Sequence, residues 1–320
     1  MNFSLLLTVI LAYGVLLVNG WTDAPNSIAT CVSSGAIRYK KACLICAIFN
    51  LLGVIISYFT NTSVAEFMFS LGGCNSFLAE RIFAVFLTVI LFGIICWLFA
   101  LPSSESHAMI SALVGTSYAV SYDLSGLKKS GYVFAFTVFS CVLAFALAYL
   151  TSMLLRRNLP YKSLQAITCS LTSFMHGWQS GLKFLGIICF LLGINITESK
   201  PPFFLMLSVG LTLFFGALMG GKRIISSMGE NLVILEHKGA FSSDIGTYLT
   251  LFLCSLLGMP VSTGNIKCLA IMGVGFYERK KINKKTTTKL LISFIAVFPI
   301  CFLISYLLMK LLMQSNTAIC

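Results

Sequence analysis

Apolar runs of helical length alternate along this chain with short polar or basic interruptions. A helix needs about 20 apolar residues to cross the hydrocarbon of a bilayer. The runs 2–19, 42–60, 82–100, 131–155, 202–219, 242–258 and 288–313 predict spans on that basis. The runs 24–37, 105–122, 163–175, 182–197 and 264–277 are shorter or richer in Ser, Thr, Gly, Ala and Asn. A lipid-facing helix has no use for such residues, whereas broken helices and re-entrant hairpins around a cavity do. Backbone amides cannot be left unpaired in lipid, so every one of these segments is expected to be helical.

The pattern occurs twice. Leu101-Pro102-Ser103-Ser104-Glu105-Ser106-His107 is echoed by Met259-Pro260-Val261-Ser262-Thr263-Gly264-Asn265, with the prolines 158 residues apart. An Ala/Gly-rich stretch follows each, ending near Gly115 and Gly273. The run 131–155 maps onto 288–313 at the same spacing. The polar interruption Gly20–Asn26 maps onto Gly177–Lys183, which predicts a second break there. The expected organisation is a single membrane domain of two repeats, 1–157 and 158–320.

Composition sharpens the class. Of 320 residues, 58% are hydrophobic and 10% charged, far from the roughly 25% charge of a soluble domain. The formal net charge is +12, from 22 Lys and Arg against 10 Asp and Glu. In a soluble protein that excess would suggest nucleic acid. Here it gathers between apolar runs, at 38–41, 156–157, 222–223 and 279–285, as in loops that obey the positive-inside rule, so no nucleic-acid partner is expected. With those clusters inside, only Arg81, Lys128, Lys129 and Lys200 remain as outside loop basics. The first half then begins outside and ends inside. The second runs in the opposite sense, giving inverted repeats of the kind that build secondary transporters. The fold class expected is an all-α polytopic membrane protein with two inverted-topology repeats, broken helices and re-entrant-type hairpins.

Twelve cysteines lie mostly in apolar runs, where Cys acts as a small hydrophobe. Cys43 and Cys46 have C-x-x-C spacing, but no second pair or His completes a zinc set. Residues 2–19 lack the basic start of a signal peptide and are expected to be a retained first span. No nucleophile–base set, phosphate-binding loop or dinucleotide fingerprint is present, so an enzyme is not expected.

Chemistry gathers at four places. The first is Gly20-Trp21-Thr22-Asp23-Ala24-Pro25-Asn26-Ser27-Ile28-Ala29-Thr30. An ionisable residue at membrane depth is a functional candidate, and Pro25 after Thr22 and Asp23 predicts a capped helix start. Thr22, Asn26 and Thr30 add oxygens around Asp23. The second is His176-Gly177-Trp178-Gln179-Ser180-Gly181-Leu182-Lys183, where apolar residues follow Lys183. A cation in that position snorkels or neutralises an anion. The other two are the Pro102 and Pro260 motifs. There Ser103, Ser104, Ser106, Ser262 and Thr263 precede helices whose free amides can bind an anion. Lys267 lies in the helix after Pro260 and parallels Lys183.

These residues resemble the inorganic phosphate transporter (PiT) family over nearly the whole chain. Gly20–Thr30 looks like the family's Gly-x-Asn-Asp-x-x-Asn element. Pro102–His107 and Pro260–Asn265 look like its two P-V-S-T-T-H motifs, and Gly220–Ile225 (G-G-K-R-I-I) like its G-K-R-V-I element. Thr22 stands where the family usually has Asn. Gln179 and Ser180 stand in place of Asn-Asp, so the second-half carboxylate of that motif is missing. Asn265 replaces a His and Gly264 a hydroxyl, while His107 is kept. The resemblance implies a two-fold inverted-repeat fold and phosphate uptake coupled to Na⁺ or H⁺. One carboxylate implies fewer coupling ions, proton coupling, or lost coupling, with Glu105 as a candidate substitute.

The expectation is alternating access around a mid-membrane site. Ser103, Ser104, Ser106, Ser262, Thr263, Gln179, Lys183 and Lys267 are the candidate phosphate ligands. Asp23, Asn26, Thr22 and Ser180 are the candidate holders of the coupling cation. Pro25, Pro102, Pro260, His107 and His176 are the candidate helix-break and gating positions. The expected partners are inorganic phosphate and membrane lipid in a bacterial inner membrane, with no cofactor beyond an Na⁺ coupling ion. A homo-oligomer is left open. Two alternatives stand beside this: a carrier of another oxyanion such as sulfate or arsenate, and a non-transporting membrane paralogue that only binds the anion.

Overall fold

Leu-, Ile- and Phe-rich stretches without interior charge can satisfy their backbone only as helices in an apolar solvent, and that is how they fold. The computed structural model describes residues 3–72, 77–102, 104–122, 125–156 and 159–317. In the first half α1 (Phe3–Thr22) leads through a 3₁₀ turn (Ala24–Ile28) into α2 (Ala29–Ser33). Then come α3 (Tyr39–Thr60), α4 (Ser63–Ser70), α5 (Leu78–Leu98), α6 (Glu105–Ser121) and α7 (Ser125–Leu154). In the second half α8 (Tyr161–Leu191) is followed by α9 (Phe203–Met219), α10 (Lys222–Gly229), α11 (His237–Leu256), α12 (Thr263–Tyr277) and α13 (Lys284–Thr317). Ser103 lies outside the described residues.

Among the described residues, five segments are long and apolar enough to cross a membrane: Ser4–Ser33, Tyr39–Thr60, Leu78–Leu98, Gly126–Leu154 and Lys284–Gln314. The pair α9 and α10 makes a sixth, bent by 72° at Gly220-Gly221. The run 242–258 forms α11 but falls outside this set. Its Ser242, Ser243, Asp244, Thr247 and Thr250 are buried against neighbouring helices instead of facing lipid.

Helix pairings recur with the halves exchanged. α6 packs on α13 as α12 packs on α7, α1 packs on α9 as α8 packs on α3, and α1 packs on α5 as α8 packs on α11. The distribution of polarity is inside out for a soluble protein. α7 and α13 turn residues such as Val142 (63% exposed) and Leu311 (62%) outward, while Asp23, Glu105, Lys183, Asp244 and Lys267 are buried.

Two sequence expectations are corrected. The break predicted at Gly177–Lys183 does not exist, because α8 runs without interruption through it. No proline stops the helix, and the glycines serve close packing. A Cβ on Gly177 would lie 2.1 Å from the Asn50 carbonyl oxygen of α3, and one on Gly181 would lie 2.4 Å from Val54. The break in the first half is real and ends α1. Arg81 is not an outside loop basic. It is buried in α5, donating to the Gly72 carbonyl at 3.0 Å and Ser117 Oγ at 2.6 Å.

The remaining basic clusters do gather at one end. The Lys222 ammonium lies over the Tyr39 ring, Ser34 bonds Gln165 near the start of α8, and the Asn283 amide bonds the Leu232 carbonyl after α10. Lys129 and Lys200 meet Ser70 and Tyr58 at the other end.

Replacing Gly177 by Val should therefore separate α3 from α8 and cost at least the roughly 1–3 kcal/mol typical of overpacking. Gly131→Ala in α7, where nothing lies within 4 Å of the new Cβ, is the matched control and should be neutral or slightly stabilising. Thermal unfolding of the two variants in detergent checks the contrast.

Candidate substrate and ion site

The two Pro motifs converge because α6 and α12 both begin beside the 3₁₀ turn. A Cβ on Gly264 would lie 3.0 Å from Asn26 Nδ2 and 3.3 Å from Pro102 Cβ, so the three elements approach closely at this glycine. Lys183 reaches the same point from α8. Its ammonium donates to Ser106 Oγ at 2.8 Å and to the Val261 carbonyl at 2.5 Å. It is buried and pairs with no carboxylate within salt-bridge distance among the described residues, although Asp23 and Glu105 lie within electrostatic reach.

Hydrogen-bond accounting divides the candidate donors. Thr137 gives its proton to the Val133 carbonyl, so it accepts from His107 Nε2–H at 2.7 Å. His107 Nδ1 is then an acceptor and takes the Ser104 proton at 2.6 Å. Ser262 caps α12 as the sequence allows. Its oxygen accepts from the Asn265 amide at 3.4 Å, and its proton goes to Asn265 Oδ1 at 3.2 Å. Gln179 is spent on the end of α11 and the loop before α12: Nε2 donates to Ser255 Oγ of α11 and to the Met259 carbonyl at 2.9 and 3.2 Å, and Oε1 accepts from the Val261 amide at 3.4 Å. Ser106 and Thr263 keep their protons. Among the described residues Ser106 only accepts, from Lys183, and the buried Thr263 Oγ1 has no partner.

Asp23 is not the side-chain cap that Pro25 suggested, for it makes no cap bond. Its Oδ1 accepts from Asn26 Nδ2 at 2.9 Å, and its Oδ2 lies 3.5 Å from His176 Nε2. Asn26 Oδ1 is buried without a partner among the described residues. A carboxylate beside a free amide oxygen is a hard-oxygen set that fits a small cation. His176 has its own constraint. Asn50 Nδ2 donates to the Cys46 carbonyl, so Asn50 Oδ1 accepts from His176 Nδ1–H at 2.5 Å. Nε2 then faces Asp23 attractively only when a proton lies between them; Ser180 Oγ sits 3.3 Å from the same nitrogen. Thr22 contacts Glu105 Oε1 and bonds the Val18 carbonyl, so it belongs with Glu105.

Lys267 departs from its expectation. It contacts Asp244 in a fully buried ion pair, so its charge is already met. The sequence reading passed over Asp244. The same rule that picked out Asp23, an ionisable residue within an apolar run, would have found it.

A helical body with an apolar exterior and ionic groups buried inside defines a polytopic membrane protein. The phosphate transporter family matches residues 19–161 and 158–305. A probable low-affinity inorganic phosphate transporter of Rhizobium meliloti is 33% identical over 91% of this chain and 91% of its own. One from Bacillus subtilis, described in the same words, is 27% identical over 94% and 95%. A solved structure described as the sodium-dependent phosphate transporter superposes with a TM-score of 0.83 over 98% of this chain and 100% of that one, at 17% identity, which establishes the shared fold. The chain belongs to the phosphate transporter family.

Replacing Gln179 by Leu removes two bonds to the 259–261 loop and one to Ser255 of α11, each worth about 0.5–1.5 kcal/mol. Amide exchange at Val261 should accelerate by at least about tenfold, read by hydrogen–deuterium exchange.

Proposed function

We propose that this chain is a secondary carrier of inorganic phosphate in a bacterial inner membrane, working by alternating access between inverted repeats 1–157 and 158–320. The observation that carries the reading is the buried Lys183 ammonium, held by neutral oxygens where two helix starts meet. A desolvated cation without a carboxylate partner is costly unless an anion visits it. Ser106 and Thr263 donate to that anion beside Lys183, and the free amides at the starts of α6 and α12 add to the cradle. Ser104, Ser262 and Gln179 hold the cradle in shape, and Lys267 takes no part in it. The exchanged helix pairings support the duplication, and the basic clusters at one end support its orientation.

Asp23 and Asn26 hold the coupling cation. The free amide oxygen suits Na⁺, while the proton that the Asp23–His176 contact needs suits H⁺. Pro25, Pro102 and Pro260 set the breaks about which the halves rearrange, with His107 and His176 holding their neighbours in this conformation.

Uptake of radiolabelled phosphate into proteoliposomes, under a sodium gradient and then a proton gradient, tests the reading. Flux above empty liposomes is expected under at least one. Asp23→Asn should abolish the dependence on that ion. Lys183→Met should weaken phosphate binding by about 10–150-fold, the worth of a charge-assisted hydrogen bond. Phosphate binding without flux would mark an anion-binding paralogue instead, a reading favoured by Ser180 standing where the family carries a carboxylate. Sulfate that displaces phosphate at equal concentration would change the substrate.

A further inference from the structure

Lys267 and Thr30 meet at one carboxylate outside the phosphate cradle. Asp244 Oδ1 accepts from Thr30 Oγ1 at 2.5 Å and contacts the Lys267 ammonium; its Oδ2 accepts from Thr168 Oγ1 at 3.0 Å. Thr30 belongs to α2 in the first half, and Thr168, Asp244 and Lys267 to α8, α11 and α12 in the second. All four are at most 1% exposed. Thr30 lies one turn beyond Asn26, and Lys267 one turn beyond Thr263, so the cluster ties together the two elements that flank the anion and cation positions.

A fully buried ion pair is a poor way to gain stability, because desolvation offsets most of the attraction and an apolar pair would serve as well. What this site does require is a single positive charge, since a buried carboxylate without one is costly. A carboxylate with two hydroxyl oxygens, shut off from water, is also the hard-oxygen surrounding that small metal cations take. An ammonium on a four-carbon stem supplies the same unit charge and cannot leave.

We propose that the Lys267 ammonium is a tethered cation occupying a monovalent-cation site formed by Asp244, Thr30 and Thr168. This half of the carrier therefore holds its positive charge covalently, where an exchangeable Na⁺ would otherwise bind. The site itself stands on the Asp244 cluster alone. Its consequence, that it adds no ion to the coupling stoichiometry, rests on the carrier reading above.

The test is thermal unfolding of purified full-length protein in detergent, with sodium chloride against N-methylglucamine chloride at equal ionic strength. An Asp23→Asn background removes the other carboxylate from the comparison. Asp23→Asn alone should show no sodium-specific shift. Asp23→Asn/Lys267→Ala should gain one, rising with sodium as ligand linkage requires, and adding Asp244→Asn should remove it. A double variant indifferent to sodium, or stabilised by lowered pH instead, overturns the proposal, because Asp244 would then take a proton or nothing. If Lys267→Ala accumulates only when sodium is present, that supports the proposal. If neither Lys267→Ala nor Lys267→Ser can be recovered even in high sodium, the proposal is overturned, since the ion should restore the missing charge. None of these readings needs flux. Failure of the wild type to move phosphate would remove the carrier reading and leave this result standing.

Discussion

The architecture turns on the cost of placing full charges where water cannot reach them. The ionic side chains Asp23, Glu105, Lys183, Asp244 and Lys267 are buried within a body whose outer helices face hydrocarbon. Asp244 and Lys267 neutralise each other, Glu105 leans on Thr22, and Asp23 is held by Asn26 and His176. Lys183 differs in that its contacts within hydrogen-bonding distance are a hydroxyl and a carbonyl. That imbalance is the physical reason for the proposal that an anion visits there. Family membership says what such an anion is.

The two halves of the chain pair their helices alike but differ in chemistry. α1 stops at Asp23 and resumes as a 3₁₀ turn, which brings Asn26 to the start of α12. Its counterpart α8 passes straight through, so Lys183 is delivered from the middle of a rigid helix pressed against α3 at Gly177. The first half thus contributes an interrupted segment beside Asn26 and the second an unbroken helix that carries Lys183. Gln179, one turn before Lys183, pins the 259–261 loop through its whole amide, so the position of the cation and the start of α12 are set by the same stretch of helix.

Much of this was legible in the chain. Apolar run lengths located most of the helices, the repeated Pro-Ser motifs located the starts of α6 and α12, and Asp23 and Lys183 declared themselves as ions in apolar surroundings. What was not legible depends on partners distant in sequence. Whether Gly177 and Gly181 break a helix or let one pack closely is decided by α3, which lies more than a hundred residues away. The donor roles of Ser104 and Ser262 are settled by His107, Thr137 and Asn265. Lys267 looked like a twin of Lys183 until Asp244 was beside it. Arg81 looked like a loop residue because its partners, the Gly72 carbonyl and Ser117, cannot be inferred from its neighbours.

The most direct measurement is an experimental structure of the protein with arsenate as a phosphate stand-in, its arsenic located by anomalous scattering. The account predicts an arsenic peak between the starts of α6 and α12, with an arsenate oxygen about 3 Å from Lys183 Nζ and Lys267 still on Asp244. A peak beside the basic loop 279–285 or at Lys267, with Lys183 still bound only to Ser106 and the Val261 carbonyl, would contradict it.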